Sequence, residues 1–273
     1  MPAEGRTGGR EITSHIDIST PSIARMYEYL LGGAEHYQVD REACAELLRV
    51  APSAVSVMRN SRAFLERAVR CLAAEHGVTQ YIDFGVGLPA RENVHQIARE
   101  YVSEPRVVYV DIDPMAVAHG RLVLEEDQGT LVLGADITRP NDVFDDPRVV
   151  PLLQARPTAA LFGSVLHCLS DEQRPAEVVA QVRERLAPGS FVVISHLVSD
   201  DEHDRREISA LMAELTGGRW GRVRQRAEVE AYFAGTRLLE PGVTDAREWR
   251  PDGRLQPPQG TDEWTGWCGV ARI

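Results

Sequence analysis

Three acidic residues stand at the ends of three successive runs rich in Val, Leu and Ile, and the first precedes a glycine bend. The stretches are Asp83-Phe84-Gly85-Val86-Gly87-Leu88-Pro89-Ala90, then Val110-Asp111-Ile112-Asp113-Pro114, then Gly134-Ala135-Asp136-Ile137. Each run reads as a short buried strand, and glycines at a strand-to-helix turn let the backbone approach a ligand closely. The carboxylate of Asp83, two residues ahead of Gly85, suits an ammonium group and would repel a diphosphate. Asp111, roughly 20 residues further on, stands where an acid meets ribose hydroxyls. Asp136 is placed to accept from an adenine amino group with Ile137 packing on the ring, and Gly85, Gly87, Leu88, Ile112 and Ser164 complete the candidate contacts. Asp113, with Pro114 next, reads first as a helix cap.

An ammonium, a ribose and an adenine along one crevice describe S-adenosylmethionine. Gly85, Gly87 and Ala90 also fit the dinucleotide fingerprint, so a nicotinamide cofactor is the competing reading. Asp83 and Pro89 count against it, because a pyrophosphate wants backbone donors and no nearby carboxylate. His167 and His196 fall at the ends of the fourth and fifth runs and are the candidate bases for an attacking hydroxyl or amine. Trp220, with Tyr232 and Phe233, either lines an acceptor pocket or packs in the core.

These residues need a scaffold. Strands are expected at 80–83, 106–111, 130–135, 158–166 and 190–197, and helices at about 90–102, 114–127, 143–154, 172–187 and 203–216. That alternation implies a parallel sheet covered on both faces. The extended stretches 236–249 and 265–272 are joined by a Pro/Gly-rich loop too short for a crossover helix, so they should pair antiparallel. The expected architecture is a doubly wound α/β fold with a mostly parallel seven-stranded sheet of class I methyltransferase type and an antiparallel last strand. It divides as a flexible tail, 1–19, an N-terminal helical cap, 20–77, and a Rossmann-like domain, 78–273. In the cap, Thr20-Pro21 reads as the start of the first helix, Gly32-Gly33 as its stop, 40–49 as the second, and Pro52 to Gly77 as the third.

Composition narrows the partners. A net charge of −11 argues against nucleic acid and acidic membrane surfaces. All 30 basic residues are arginine, which excludes a lysine base or Schiff base. Cys44, Cys71, Cys168 and Cys268 have no metal-ligand spacing, so no metal is expected. Met1–Arg10 lacks the apolar segment of a signal peptide, and no apolar run is long enough to span a bilayer. A cytoplasmic monomer or homodimer acting on a small molecule is expected.

The chain resembles a family of actinobacterial S-adenosylmethionine-dependent methyltransferases long catalogued as a domain of unknown function, associated here with secondary metabolism. The resemblance runs from about Pro21 to Arg272. It rests on Pro21-Ser22-Ile23-Ala24-Arg25-Met26-Tyr27-Glu28-Tyr29-Leu30-Leu31-Gly32-Gly33, on Arg59-Asn60-Ser61-Arg62-Ala63-Phe64-Leu65, on the glycine bend, on Asn93-Val94-His95, on Val108 to Pro114, and on Val165-Leu166-His167. It implies a Rossmann-like sheet and cofactor binding but supplies no acceptor. The family's lysine and Asp-Asn pair after the double glycine are replaced by Ala34-Glu35-His36-Tyr37, so no role of that lysine carries over. Arg25, Tyr29 and Tyr37 near the double glycine, with Arg59 and Arg62 on the next helix, either close over the cofactor's methionine end or serve as core and surface pairs. Three functions compete: methyl transfer to O, N or C, a non-catalytic cofactor-binding regulator, and a nicotinamide oxidoreductase.

Overall fold

The computed structural model describes residues 16–254 and 256–273. Most of the expected tail lies outside the described residues. Three helices come first: α1 (Ile23–Leu31), α2 (Gln38–Val50) and α3 (Ala54–His76). The alternating part follows as β1 (Gln80–Phe84), α4 (Val94–Arg99), β2 (Arg106–Asp111), α5 (Pro114–Val123), β3 (Thr130–Gly134), α6 (Pro140–Phe144), β4 (Thr158–Gly163), α7 (Pro175–Arg185), β5 (Phe191–Val198) and α8 (Glu202–Leu215). The chain ends with α9 (Arg226–Glu230), β6 (Arg237–Leu238), β7 (Thr244–Asp245) and β8 (Thr265–Arg272).

The sheet runs β3-β2-β1-β4-β5-β8-β6, with β7 also on β8. Strands β1 to β5 are parallel, and β8 is antiparallel to β5, β6 and β7. The sheet has eight strands rather than the expected seven. Pro241 and Gly242, the latter at φ +92°, turn the chain inside 236–249 and leave two short strands where one was expected. Every residue of β1 is buried, because helices cover both faces. Tyr81, Val107 and Tyr109 face the layer that contains Phe64, Ala68 and Leu72 of α3, while Ile82, Phe84, Val108 and Val110 face the other layer. α3 thus packs in the main core against the sheet, while α1 and α2 belong to a second cluster with α8.

Several element bounds differ from expectation, each for a local reason. α4 begins only at Val94, where Asn93 closes the turn through its backbone N–H to Gln96 Oε1 (2.9 Å). β4 stops at Gly163 because Ser164 takes φ +57°, and a 3-10 turn, Leu166–Cys168, follows. α6 starts at Pro140, which sits well in a first helical turn, and ends at Phe144.

α1 and α2 lie over the strand ends and are knotted by one ion pair. Asp40 accepts from Arg25 Nε (2.7 Å), Ser22 N (2.9 Å) and Tyr37 N (2.8 Å). Arg25 donates its remaining nitrogens to the carbonyls of Asp17 (3.1 Å) and Thr20 (2.7 Å). Both side chains are buried. The expectation that Arg25 meets the cofactor is therefore corrected, since the residue is off the cavity wall, its Nε joins α1 to α2 and its other two nitrogens bond the segment before α1. Breaking such a pair leaves a buried charge uncompensated. Asp40→Ala should lower stability by roughly 3–5 kcal/mol in denaturant unfolding; a loss below about 1 kcal/mol would mean the pair is not holding the cap.

Candidate active site

A cavity of about 690 Å³ opens between the carboxyl ends of β1 to β4 and the helices α1, α2, α3 and α8. Small-molecule sites occupy roughly 300–1,000 Å³, and in open α/β sheets they lie where strand order reverses, here at β1, which is flanked by β2 and β4. The wall brings together Asp83, Gly85, Gly87, Asp111, Ile112, Asp136, Ile137, Ser164, Arg62, His167 and Trp220 from the sequence-derived candidates.

The glycine bend has a steric basis. Gly85 adopts φ +72°, and a Cβ there would fall 2.2 Å from Val165 Cγ2. Its N–H and that of Val86 donate to Val110 O (2.7 and 3.1 Å), folding the bend onto the end of β2. Asp111 completes the fold by accepting from Gly87 N (2.7 Å) and Asp113 N (2.8 Å). The next helix starts only at Val94, so no helix N-terminus faces the bend as a pyrophosphate site requires. Asp113 both lines the cavity and caps α5, accepting from Met115 N (2.8 Å) and Ala116 N (3.2 Å), while Ser22 Oγ donates to its other oxygen at 2.5 Å. Asp136 accepts from Thr138 N (2.9 Å) and Oγ1 (2.8 Å). Ser164, held at a strained φ, donates its N–H to Ser195 O (3.1 Å) and Oγ (3.0 Å).

Asp83 is only 3% exposed, and burial raises its carboxyl to about 7, with the Arg62 guanidinium opposing the rise and Asp111 adding to it. No hydrogen bond from the described residues contributes to holding it ionised. Burial likewise raises Asp111, against the backbone N–H groups of Asp113 and Gly87. The crevice thus gathers two carboxyl groups whose ionisation burial opposes, with Arg62 on the same wall.

The two histidines divide. His167 lines the cavity, 2% exposed, its ring 4.8 Å from that of Trp220, and its Nδ1 has no hydrogen-bond partner. Burial, then His196 and Arg224, hold it well below its ordinary pKa, so it is neutral. His196 lies off the cavity wall. Its Nδ1 is 2.7 Å from Leu197 O and its Nε2 is 3.2 Å from Arg224 Nη1, a pairing that fixes Nδ1–H as donor and Nε2 as acceptor. Burial and Arg224 push it down to about 3. His196 as a base is therefore corrected: both nitrogens are engaged and protonation is opposed. Arg224 also donates to Leu166 O (3.2 Å), Leu169 O (3.0 Å) and Asp171 (3.0 Å), fixing the turn that carries His167. Gly221 seats Trp220 against that turn, because a Cβ there would lie 2.0 Å from Leu169 O.

Other expected residues are elsewhere. Tyr29 packs edge-on against His36 (4.9 Å), Tyr37 lies beneath the Arg25 guanidinium (5.2 Å), Arg59 is exposed, and Leu88 is buried off the cavity wall. These four are corrected as wall residues: the helix turn that places Tyr27 on the cavity carries Tyr29 away from it. Tyr232 and Phe233 are core. Met26, Tyr27 and Leu30 of α1 line the cavity and also pack in the core beneath it. Met58, Met212 and Trp264 also line it, and none of them was a candidate site residue. Among the described residues, Cys71, Glu75 and His76 have metal-ligand spacing, but Arg250 Nη1 already donates to Cys71 Sγ (2.9 Å) and Glu75 (2.9 and 3.0 Å).

A carboxyl raised from 3.8 to about 7 binds its proton more tightly folded than unfolded. Its contribution to stability is full below the unfolded value and is lost as pH rises through about 7. Asp83→Asn should therefore raise the unfolding midpoint of the unliganded protein at pH 8 and flatten its fall between about pH 4 and 7. A midpoint lowered at pH 8 would show that the carboxylate is well solvated or paired.

The sequence profile of the S-adenosyl methyltransferases matches residues 9–273. A crystal structure from Thermobifida fusca YX, described provisionally as a methyltransferase, is 36% identical, covers 94% of this chain and 96% of its own, and superposes with a TM-score of 0.87. A DUF574 family protein from Streptomyces avermitilis is 30% identical, with 94% and 99% covered and a TM-score of 0.84. Among curated proteins, none matches. No helix among the described residues is long and apolar enough to cross a membrane. On these matches and this cavity, the chain belongs to the S-adenosyl methyltransferase family and is an S-adenosylmethionine-dependent methyltransferase.

Proposed function

We propose that the protein transfers the cofactor's methyl group to an O, N or C atom of a small molecule bound in the same cavity. The observation that carries the reading is the buried, unpaired carboxyl of Asp83 beside the glycine bend. It fits a cation and not a diphosphate. Bound S-adenosylmethionine supplies an electrophilic methyl on a sulfonium.

Asp83 takes the α-ammonium, and Asp111 uses its free lone pairs for the ribose hydroxyls while its other bonds hold the bend. Asp136 accepts from the adenine amino group between Ile112 and Ile137. The apolar stripe of α1, bearing Met26, Tyr27 and Leu30, roofs the cavity and excludes water. That exclusion favours loss of the sulfonium charge on transfer. Of the residues assigned to a lid, Arg62 alone reaches the cavity, and it sets the field at Asp83. His167 keeps a neutral ring at working pH, able to orient a nucleophile by hydrogen bonding. Burial and Arg224 make it a weak base, so positioning carries most of the rate.

The direct test is transfer of labelled methyl from S-adenosylmethionine into the small-molecule fraction of an actinobacterial extract; binding without transfer into any fraction would favour the regulator instead. Asp111→Ala should weaken S-adenosylhomocysteine by roughly 1–3 kcal/mol in calorimetry, and unchanged affinity would remove the ribose assignment. His167→Ala should leave that affinity nearly intact and slow transfer to the accepted fraction; equal turnover would make the residue structural.

A further inference from the structure

The cavity wall carries two opposite charges that do not touch. Asp83 stands at the end of β1 and Arg62 on α3. No ion pair joins them within 4.0 Å, yet Arg62 is the foremost charge acting on the carboxyl. The guanidinium is anchored on its far side. Its Nη2 donates to Glu92 O, and its Nε lies 3.4 Å from Glu66 Oε1. Glu66 is shared with Arg70 (3.6 Å) and Arg254 (4.0 Å), so it does not serve Arg62 alone. Nη1 donates to nothing among the described residues, and it is not enclosed: the buried, unpartnered nitrogen of this side chain is Nε. The side chain keeps 16% exposure, so a free donor remains accessible. The glycine bend, by contrast, has its N–H groups engaged. Those of Gly85 and Val86 go to Val110 O, and that of Gly87 goes to Asp111. Arg219, the other arginine of the described wall, is tied to the carbonyls of Thr216 (3.0 Å) and Pro21 (3.0 Å) beside Trp220.

We propose that Arg62 takes the cofactor's α-carboxylate through Nη1, beside the ammonium at Asp83, so that the cavity selects S-adenosyl ligands carrying an intact amino-acid zwitterion. This rests on the reading of the crevice as the S-adenosyl site with its ammonium at Asp83. An α-amino acid holds its two charges on one carbon, which suits a carboxyl and a guanidinium standing apart on one wall. With the N–H groups of the bend engaged, a carboxylate without Arg62 would lose its hydration and gain no partner. A ligand with the ammonium alone would meet Asp83 but face Arg62 as a like charge. Arginine suits the task because anchoring one nitrogen on Glu92 O leaves another to donate in a fixed direction.

The test is calorimetry with three ligands. S-adenosylhomocysteine carries both charges. Its decarboxylated analogue, 5′-(3-aminopropylthio)-5′-deoxyadenosine, keeps the thioether and the amine and lacks the carboxylate. 5′-Methylthioadenosine lacks both charges and reports an intact adenosine site. The native protein should prefer S-adenosylhomocysteine over the decarboxylated analogue by about 10–100-fold, the range for a hydrogen bond to a charged group. In Arg62→Gln that preference should fall to within about threefold, with 5′-methylthioadenosine bound as before. Arg62→Lys keeps the charge but loses the fork, so it should retain only part of the preference; it also guards against poor folding of the glutamine variant. Equal binding of the two amine ligands to the native protein, or a preference unchanged in either variant, would overturn the proposal. Equal weakening of both amine ligands by Arg62→Gln would do the same. Failure of S-adenosylhomocysteine to bind the native protein at all would instead overturn the underlying reading.

Discussion

A carboxyl group, that of Asp83, is buried at the end of β1 with no hydrogen bond from the described residues and with Arg62 as the cation that acts on it. Burial raises the Asp83 carboxyl to about 7, so ionising it above neutrality costs the fold stability that a solvated carboxylate would not. The sheet tolerates it because β1 is central, covered on both faces, and supported by parallel neighbours β2 and β4. On the proposed reading, a ligand cation against Asp83 would offset that cost.

The surrounding structure serves that position. The bend at Gly85 brings the backbone next to the carboxyl, Asp111 fixes the bend, and Ser22 ties the first turn of α1 to Asp113 at the end of β2. The Arg25–Asp40 pair then orients α1 so that Met26, Tyr27 and Leu30 face inward. Two buried charges are thus treated in opposite ways within one region. Asp40 is fully paired and structural, whereas Asp83 is left open.

Much of this was legible in the sequence. The parallel order, the antiparallel end and the three acids follow from apolar runs punctuated by Gly, Asp and Pro, because in a parallel sheet successive strand ends must share one edge. What escaped depended on contacts between distant segments. Arg25 and Tyr29 looked like ligand contacts because they flank a double glycine, and nothing local revealed that Asp40 would take the guanidinium. His196 shares a strand-end position with His167, but whether a ring faces the cavity depends on Arg224, a buried arginine from a segment without regular structure. Trp264 sits just before β8 and reaches the cavity only through the tertiary fold. Gly221 did carry a signal, a glycine directly after Trp220, which could have marked a close backbone approach.

The central claim is that the carboxyl of residue 83 changes from protonated to ionised when the ligand's ammonium arrives. Calorimetry of S-adenosylhomocysteine binding at pH 7, in two buffers of different ionisation enthalpy, counts the protons exchanged. The account predicts net proton release on binding at pH 7 from the wild-type protein, and none from Asp83→Asn. Binding at pH 7 with no proton release from the wild-type protein would contradict it.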